Sequence, residues 1–154
     1  AQALRGLRAT YPVAMAYLDE ADQAGQASRD LRTYGGRLIA MGSTNANEVS
    51  DRDARSAAAA RGRYGRNAVV QGAAAELFKV WSVTVRARVA PLDARIVLCL
   101  HDELLVHAPA EHGDAVAALL DACLQEAASR WAPDGTVRFV ADISNLRCWG
   151  DAKG

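Results

Sequence analysis

Cys99-Leu100-His101-Asp102-Glu103-Leu104-Leu105-Val106-His107 sets three consecutive polar residues between two short apolar runs, Arg95 to Leu100 and Leu104 to Ala108. Runs of this length, rich in Ile, Val and Leu, read as strands, and a polar break between them reads as a hairpin. An acidic pair at such a bend is held by both strands with its side chains outward. Two carboxylates at a fixed point suit a hard divalent cation such as Mg²⁺, which takes oxygen ligands and tolerates little slack. Asp is also common in tight turns for conformational reasons alone. The surroundings decide between the two readings.

Outward from the hairpin, the 22 residues from Ala110 to Trp131 form an amphipathic helix with Val116, Leu119, Leu120, Cys123, Leu124 and Ala127 on one side. Pro133-Asp134-Gly135 is a turn, and Thr136 to Ile143 alternates like a last strand. Upstream, Ala68 to Val89 has helical apolar spacing and is stopped by Pro91. Glu48 to Arg63 is a separate helix, broken or kinked around Tyr64 by Gly62 and Gly65. Met41 to Asn47 reads as a loop, and Leu31 to Ile39 as strand, glycine turn, strand. Residues 3–27 are helical, with a stripe of Leu4, Leu7, Tyr11, Met15 and Leu18; Pro12 starts a new helix and Gly25 weakens its end. The expected fold class is α/β (α+β): a small antiparallel sheet with a motif-bearing hairpin, backed by long helices.

The chain has 154 residues, 51% of them hydrophobic, enough for one buried core. Its formal net charge is zero, which argues against a simple basic nucleic-acid binder while leaving room for a local basic stripe. Three widely spaced cysteines without a CxxC suggest neither a disulfide framework nor a zinc site. No apolar run approaches membrane-spanning length and no signal-peptide pattern is present, and with the cysteine pattern a reducing cytoplasm is expected. The chain begins at Ala1 rather than Met and is expected to be the C-terminal piece of a longer protein.

Val97 to Val106, VLCLHDELLV, resembles motif C of the family A DNA polymerases, the bacterial DNA polymerase I type. Arg63 to Lys79, RYGRNAVVQGAAAELFK, is similar to that family's R-x-x-x-N-x-x-x-Q-G-x-x-A segment. Both occur in the family's order and at about its separation, and the resemblance runs from about Tyr11 to the Trp149-to-Lys153 ending. It implies nucleotidyl transfer onto a primer 3′-hydroxyl, in DNA replication or repair, by a two-metal mechanism. Residues 1–65 would be the end of a fingers subdomain and 66–154 the C-terminal part of a palm. Asp102 would ligate paired Mg²⁺ ions, with Mn²⁺ as a substitute, and Glu103 would be a secondary carboxylate. His101 would lie near the primer's 3′ end. Arg63, Asn67 and Gln71 would line the primer–template minor groove, where every base pair shows an acceptor at nearly the same place and neutral amide donors check geometry without reading sequence. Implied partners are primer–template DNA, a dNTP and the remainder of the polymerase chain, with no membrane.

The chain departs from the family pattern in three places. The D-x-S-x-x-E segment that supplies the other aspartate has no match; Asp142-Ile143-Ser144 resembles it superficially, but no Glu follows. A nucleotide-gripping helix with Arg, Lys and Tyr is missing, so this piece alone is not expected to select dNTPs or to polymerise. The family's arginine-rich turn is matched only loosely by YGGRLI at Tyr34 to Ile39. Competing readings make Asn67 a helix N-cap and Gln71 a surface residue. Arg52 and Arg55 suit a solvated helix face as well as a phosphate track. Zinc on His101, Asp102, His107 and His112 fits no standard spacing. At the level of the whole protein, the alternatives are a non-catalytic DNA-binding or assembly module that retains the palm fold, and a metal-dependent hydrolase.

Overall fold

The computed structural model describes residues 2–42 and 51–153. It is α+β, with helices α1 (Gln2–Thr10), α2 (Pro12–Gln26), α3 (Asp51–Val89) and α4 (Gly113–Trp131). Two antiparallel two-stranded sheets complete it: β1 (Leu31–Arg32) with β2 (Leu38–Ile39), and β3 (Arg95–Leu100) with β4 (Glu103–His107). The chain divides into two compact units, Ala1–Ala74 and Ala75–Gly154. Among the described residues no helix is long and apolar enough to cross a membrane.

In the first unit Pro12 opens α2, as expected, because its fixed φ suits a first turn and its missing N–H is unneeded there. Arg8 and Asp19 join α1 to α2 through a two-pronged ion pair at 2.5 and 3.0 Å. The stripe read along these helices is only partly covered: Met15 is buried, while Leu4, Leu7 and Tyr11 are 48%, 48% and 59% exposed. Ala21, Ile39, Met41 and Val69 form the core of this unit, flanked by Leu31 and Ala68.

The expected break at Gly62 and Gly65 does not occur. α3 runs through both as one helix of 39 residues, and the predicted loop at Met41 to Asn47 and helix start at Glu48 lie partly outside the described residues. The reason is packing. A Cβ at Gly25 would lie 2.6 Å from the Arg61 carbonyl oxygen and 3.0 Å from the Gly62 Cα. A Cβ at Gly65 would lie 2.9 Å from the Ala21 carbonyl oxygen. The glycines let α2 cross α3 almost backbone to backbone, and that burial outweighs the roughly 1 kcal/mol each loses to alanine in helix propensity.

In the second unit Trp81, Val85, Val89, Ala94, Val116, Cys123, Leu124 and Ala127 form the core, and Ile96, Leu104 and Val106 of the hairpin pack on it. Trp81 sets its ring edge-on to Phe78 at 5.8 Å and donates its indole N–H to the Leu120 carbonyl at 2.9 Å. The buried indole thus keeps a partner while tying α3 to α4. Pro91 ends α3 in a short 3₁₀ turn, Ala90–Leu92, as expected. The last strand predicted over Thr136 to Ile143 is absent: the segment is irregular and pairs with no strand. Its alternation is nonetheless expressed as burial. Phe139, Ala141 and Ile143 are half-buried and Arg138, Val140 and Asp142 are exposed. Period two reports an extended chain lying on a core, and strand status also needs a hydrogen-bonding neighbour. Asn145 secures the segment by donating to Asp114 at 3.1 Å and seating against Gly113.

Candidate functional site

β3 and β4 pair from Arg95 opposite His107 to Leu100 opposite Glu103, with an irregularity between Ile96 and Leu98; Val97 between them is 50% exposed. His101 and Asp102 are therefore the whole turn, and Glu103 is the first paired residue of β4. The sequence reading gave all three residues to the break; the structure keeps two there. His101 has φ +53, a left-handed conformation in which a residue with a Cβ is held only at a cost. All three side chains are exposed. Neither carboxylate has a salt-bridge partner among the described residues.

The donors at this turn are hard carboxylate oxygens, the chemistry that suits Mg²⁺ or Mn²⁺. Among the described residues no three His, Cys, Asp or Glu side chains gather into a metal-binding group. His107 is exposed at the end of β4, and His112 is half-buried in the 3₁₀ turn Ala110–His112. Asp142 is exposed in the irregular segment.

The second group stands on α3 in the first unit. Arg63, Asn67 and Gln71 recur at four-residue steps on one exposed face. The opposite side of the same turns carries Gly62, Gly65, Val69 and Gly72, which are buried or half-buried. Asn67 is not an N-cap, since α3 begins at Asp51 and continues to Val89. An exposed Asn in a helix interior costs about half a kcal/mol against alanine and does no capping in return. Tyr64, 56% exposed, shares this face, three residues before Asn67 and seven before Gln71. In sequence Tyr64 marks only the expected break, although a tyrosine between Arg63 and Arg66 is a signal of its own. Arg52 and Arg55 are exposed farther up the helix and Lys79 farther down. An open cleft of about 330 Å³ lined by Tyr17, Glu20, Arg29, Asp30 and Arg32 among others contains none of the predicted site residues, and we assign it no role.

The family model described as DNA polymerase family A matches residues 1–151. DNA polymerase theta of Caenorhabditis elegans is 27% identical over 97% of this chain and 9% of its own length. The thermostable DNA polymerase I of Thermus thermophilus is 31% identical over 94% of the chain and 16% of its own length. DNA polymerase I of Deinococcus radiodurans is 30% identical over 94% and 14%. The chain thus spans 9% to 16% of the length of these relatives. No solved structure matches it significantly. A match over nearly the whole chain that takes in both the acidic turn and the polar face of α3 shows that this chain belongs to DNA polymerase family A.

Proposed function

We propose that this chain is the C-terminal part of a template-directed DNA polymerase that joins a dNTP to a primer 3′-hydroxyl. Residues 1–65 would close a fingers subdomain and residues 66–154 would supply the C-terminal part of the palm. The observation that carries the reading is the exposed Asp102-Glu103 pair at the tip of an otherwise apolar hairpin whose base is anchored in a core. Family membership and the names of the relatives support it.

On this reading Asp102 holds a divalent cation, Glu103 assists, and His101 lies against the primer terminus. Paired Mg²⁺ ions, or Mn²⁺ in their place, would supply charge neutralisation at the attacking hydroxyl and at the pyrophosphate leaving group. The hairpin fixes the backbone beneath both carboxylates through strand pairing on either side of the turn. Arg63, Asn67 and Gln71 hold the primer–template duplex by its minor groove, and the exposed arginines of α3 contact phosphates without sequence choice. The remainder of the polymerase chain supplies the second aspartate and the nucleotide-gripping residues.

The test is single-nucleotide primer extension by the intact polymerase beside a DNA-binding titration. Asp102→Asn is nearly isosteric, and a turn tolerates Asn. It should lower turnover by orders of magnitude while DNA affinity stays nearly intact. Glu103→Gln should be milder and Asp142→Asn silent. Near-normal extension by the Asp102 variant, or a dead Asp142 variant, would mean that the catalytic metal sits on another residue.

A further inference from the structure

Thr33, between β1 and the glycine turn, is 5% exposed and is the buried polar residue of the first unit's surface hairpin. Its N–H donates to the Arg37 carbonyl at 3.0 Å, and its hydroxyl accepts from the Arg37 N–H at 3.0 Å. Its carbonyl accepts from the Gly36 N–H at 2.9 Å. The backbone bonds fix the turn, the hydroxyl's bond holds the rotamer, and a β-branched side chain is stiff at χ1 in any case. The methyl is thereby aimed at α3, where a Cβ built on Gly72 would stand 2.5 Å from Thr33 Cγ2. Turning the methyl away would break the hydroxyl's bond to the Arg37 N–H.

Gly72 directly follows Gln71, and Val69, 2% exposed, seats the same turn of α3 against Ile39 and Met41. The turn that presents Gln71 outward is therefore clamped from behind by the β1–β2 hairpin, with the Thr33 methyl in the notch that Gly72 leaves. We infer that Thr33 is a positioning residue for Gln71: the Thr33–Gly72 contact sets where the Gln71 amide stands against the primer–template minor groove. This rests on the minor-groove role proposed for Gln71. A hydrogen bond weakens steeply with distance and angle, so a displacement of about an ångström in this turn changes what Gln71 can reach.

The experiment is a cycle in the intact polymerase with Gln71→Ala, Gly72→Ala, Thr33→Ser and the double variant Thr33→Ser/Gly72→Ala. The readouts are kcat and KM for extension from matched and mismatched primer ends, with the thermal midpoint of each protein. Gln71→Ala should lower the matched-to-mismatched extension ratio on the order of tenfold. Gly72→Ala should lower the same ratio comparably, because the new Cβ meets the Thr33 methyl. Thr33→Ser removes that methyl and keeps the hydroxyl, so the double variant should recover most of the ratio. Alanine is the better helix residue. If the hairpin simply gives way, Gly72→Ala will raise the thermal midpoint and leave the ratio untouched, which overturns the inference. Equal loss from both primer ends together with a lowered midpoint overturns it too, as that is stability alone. So does a double variant no better than Gly72→Ala. A silent Gln71→Ala overturns the minor-groove reading and this inference with it, whereas a damaging Gln71→Ala beside a silent Gly72→Ala overturns the inference alone.

Discussion

The two hairpins solve one problem differently. β1–β2 has two residues in each strand, and its turn places Gly36 at φ +88, where a glycine is at ease. Side chains brace it: Arg32 donates to the Gly36 carbonyl at 2.7 Å, and Thr33 ties to Arg37. β3–β4 has strands of six and five residues and turns on His101 and Asp102, with His101 at φ +53. There the left-handed position is given to a residue that resists it. A non-glycine residue costs roughly 1–2 kcal/mol in that region. The longer strands and the core beneath Ile96, Leu104 and Val106 offset that cost. The first turn gives its left-handed position to a glycine, and the second gives it to a histidine beside the acidic pair.

Exchanging the two solutions tests this contrast. Gly36→Ala meets no neighbour, since nothing lies within 4 Å of the added Cβ. Its cost is therefore conformational, about 1–2 kcal/mol of unfolding free energy, read as a lower midpoint in thermal or denaturant unfolding. An unchanged midpoint would mean the turn relaxes to another geometry. The reverse exchange, His101→Gly, should raise stability by somewhat under 1 kcal/mol, because relief of the left-handed strain exceeds the entropy glycine adds to the unfolded chain. The same variant should slow primer extension if His101 lies at the primer terminus. A His101→Gly protein that is both less stable and fully active would remove strain and function from this turn together.

Most of the first turn and nearly all of the second were legible in sequence, because turn chemistry and short apolar runs are local signals. What escaped was set by tertiary contacts. Gly62 and Gly65 read as helix breakers until their approach to α2 is known, and Gly72 shows its use only under the Thr33 methyl. Phe139 and Ala141 read as a strand because alternation reports which side is buried, not whether a neighbouring strand exists. The acidic turn was found because its polar residues interrupt an apolar pattern. Tyr64 was passed over because it sits in a helix whose continuity the glycines disguised.

The smallest effect concerns whether the core behind the second hairpin is as closed as the strain at its turn requires. Cys99 is exposed on β3 and Cys148 is exposed near the chain end, whereas Cys123 is 2% exposed on α4 within the core. Burial pushes the Cys123 thiol above its ordinary value, because the thiolate is disfavoured away from water; Arg88 pulls it partly back and Glu126 adds to the rise. The thiolate is the reactive form, so exposure and ionisation act in the same direction. A thiol reagent at neutral pH should label Cys99 and Cys148 rapidly, and Cys123 only on unfolding or local opening. The raised value also fixes a sign. The protonated thiol is favoured in the fold, so its contribution is fully present below the ordinary thiol range and is lost as pH rises through the raised value. Cys123 labelling should therefore accelerate in alkaline solution by more than the growth in thiolate accounts for, as stability falls there. Peptide mapping after timed labelling reads all three sites. Cys123 reacting as fast as Cys99 at neutral pH would mean that β3–β4 does not rest on a closed core, and the stored cost at His101 would then have nothing to hold it.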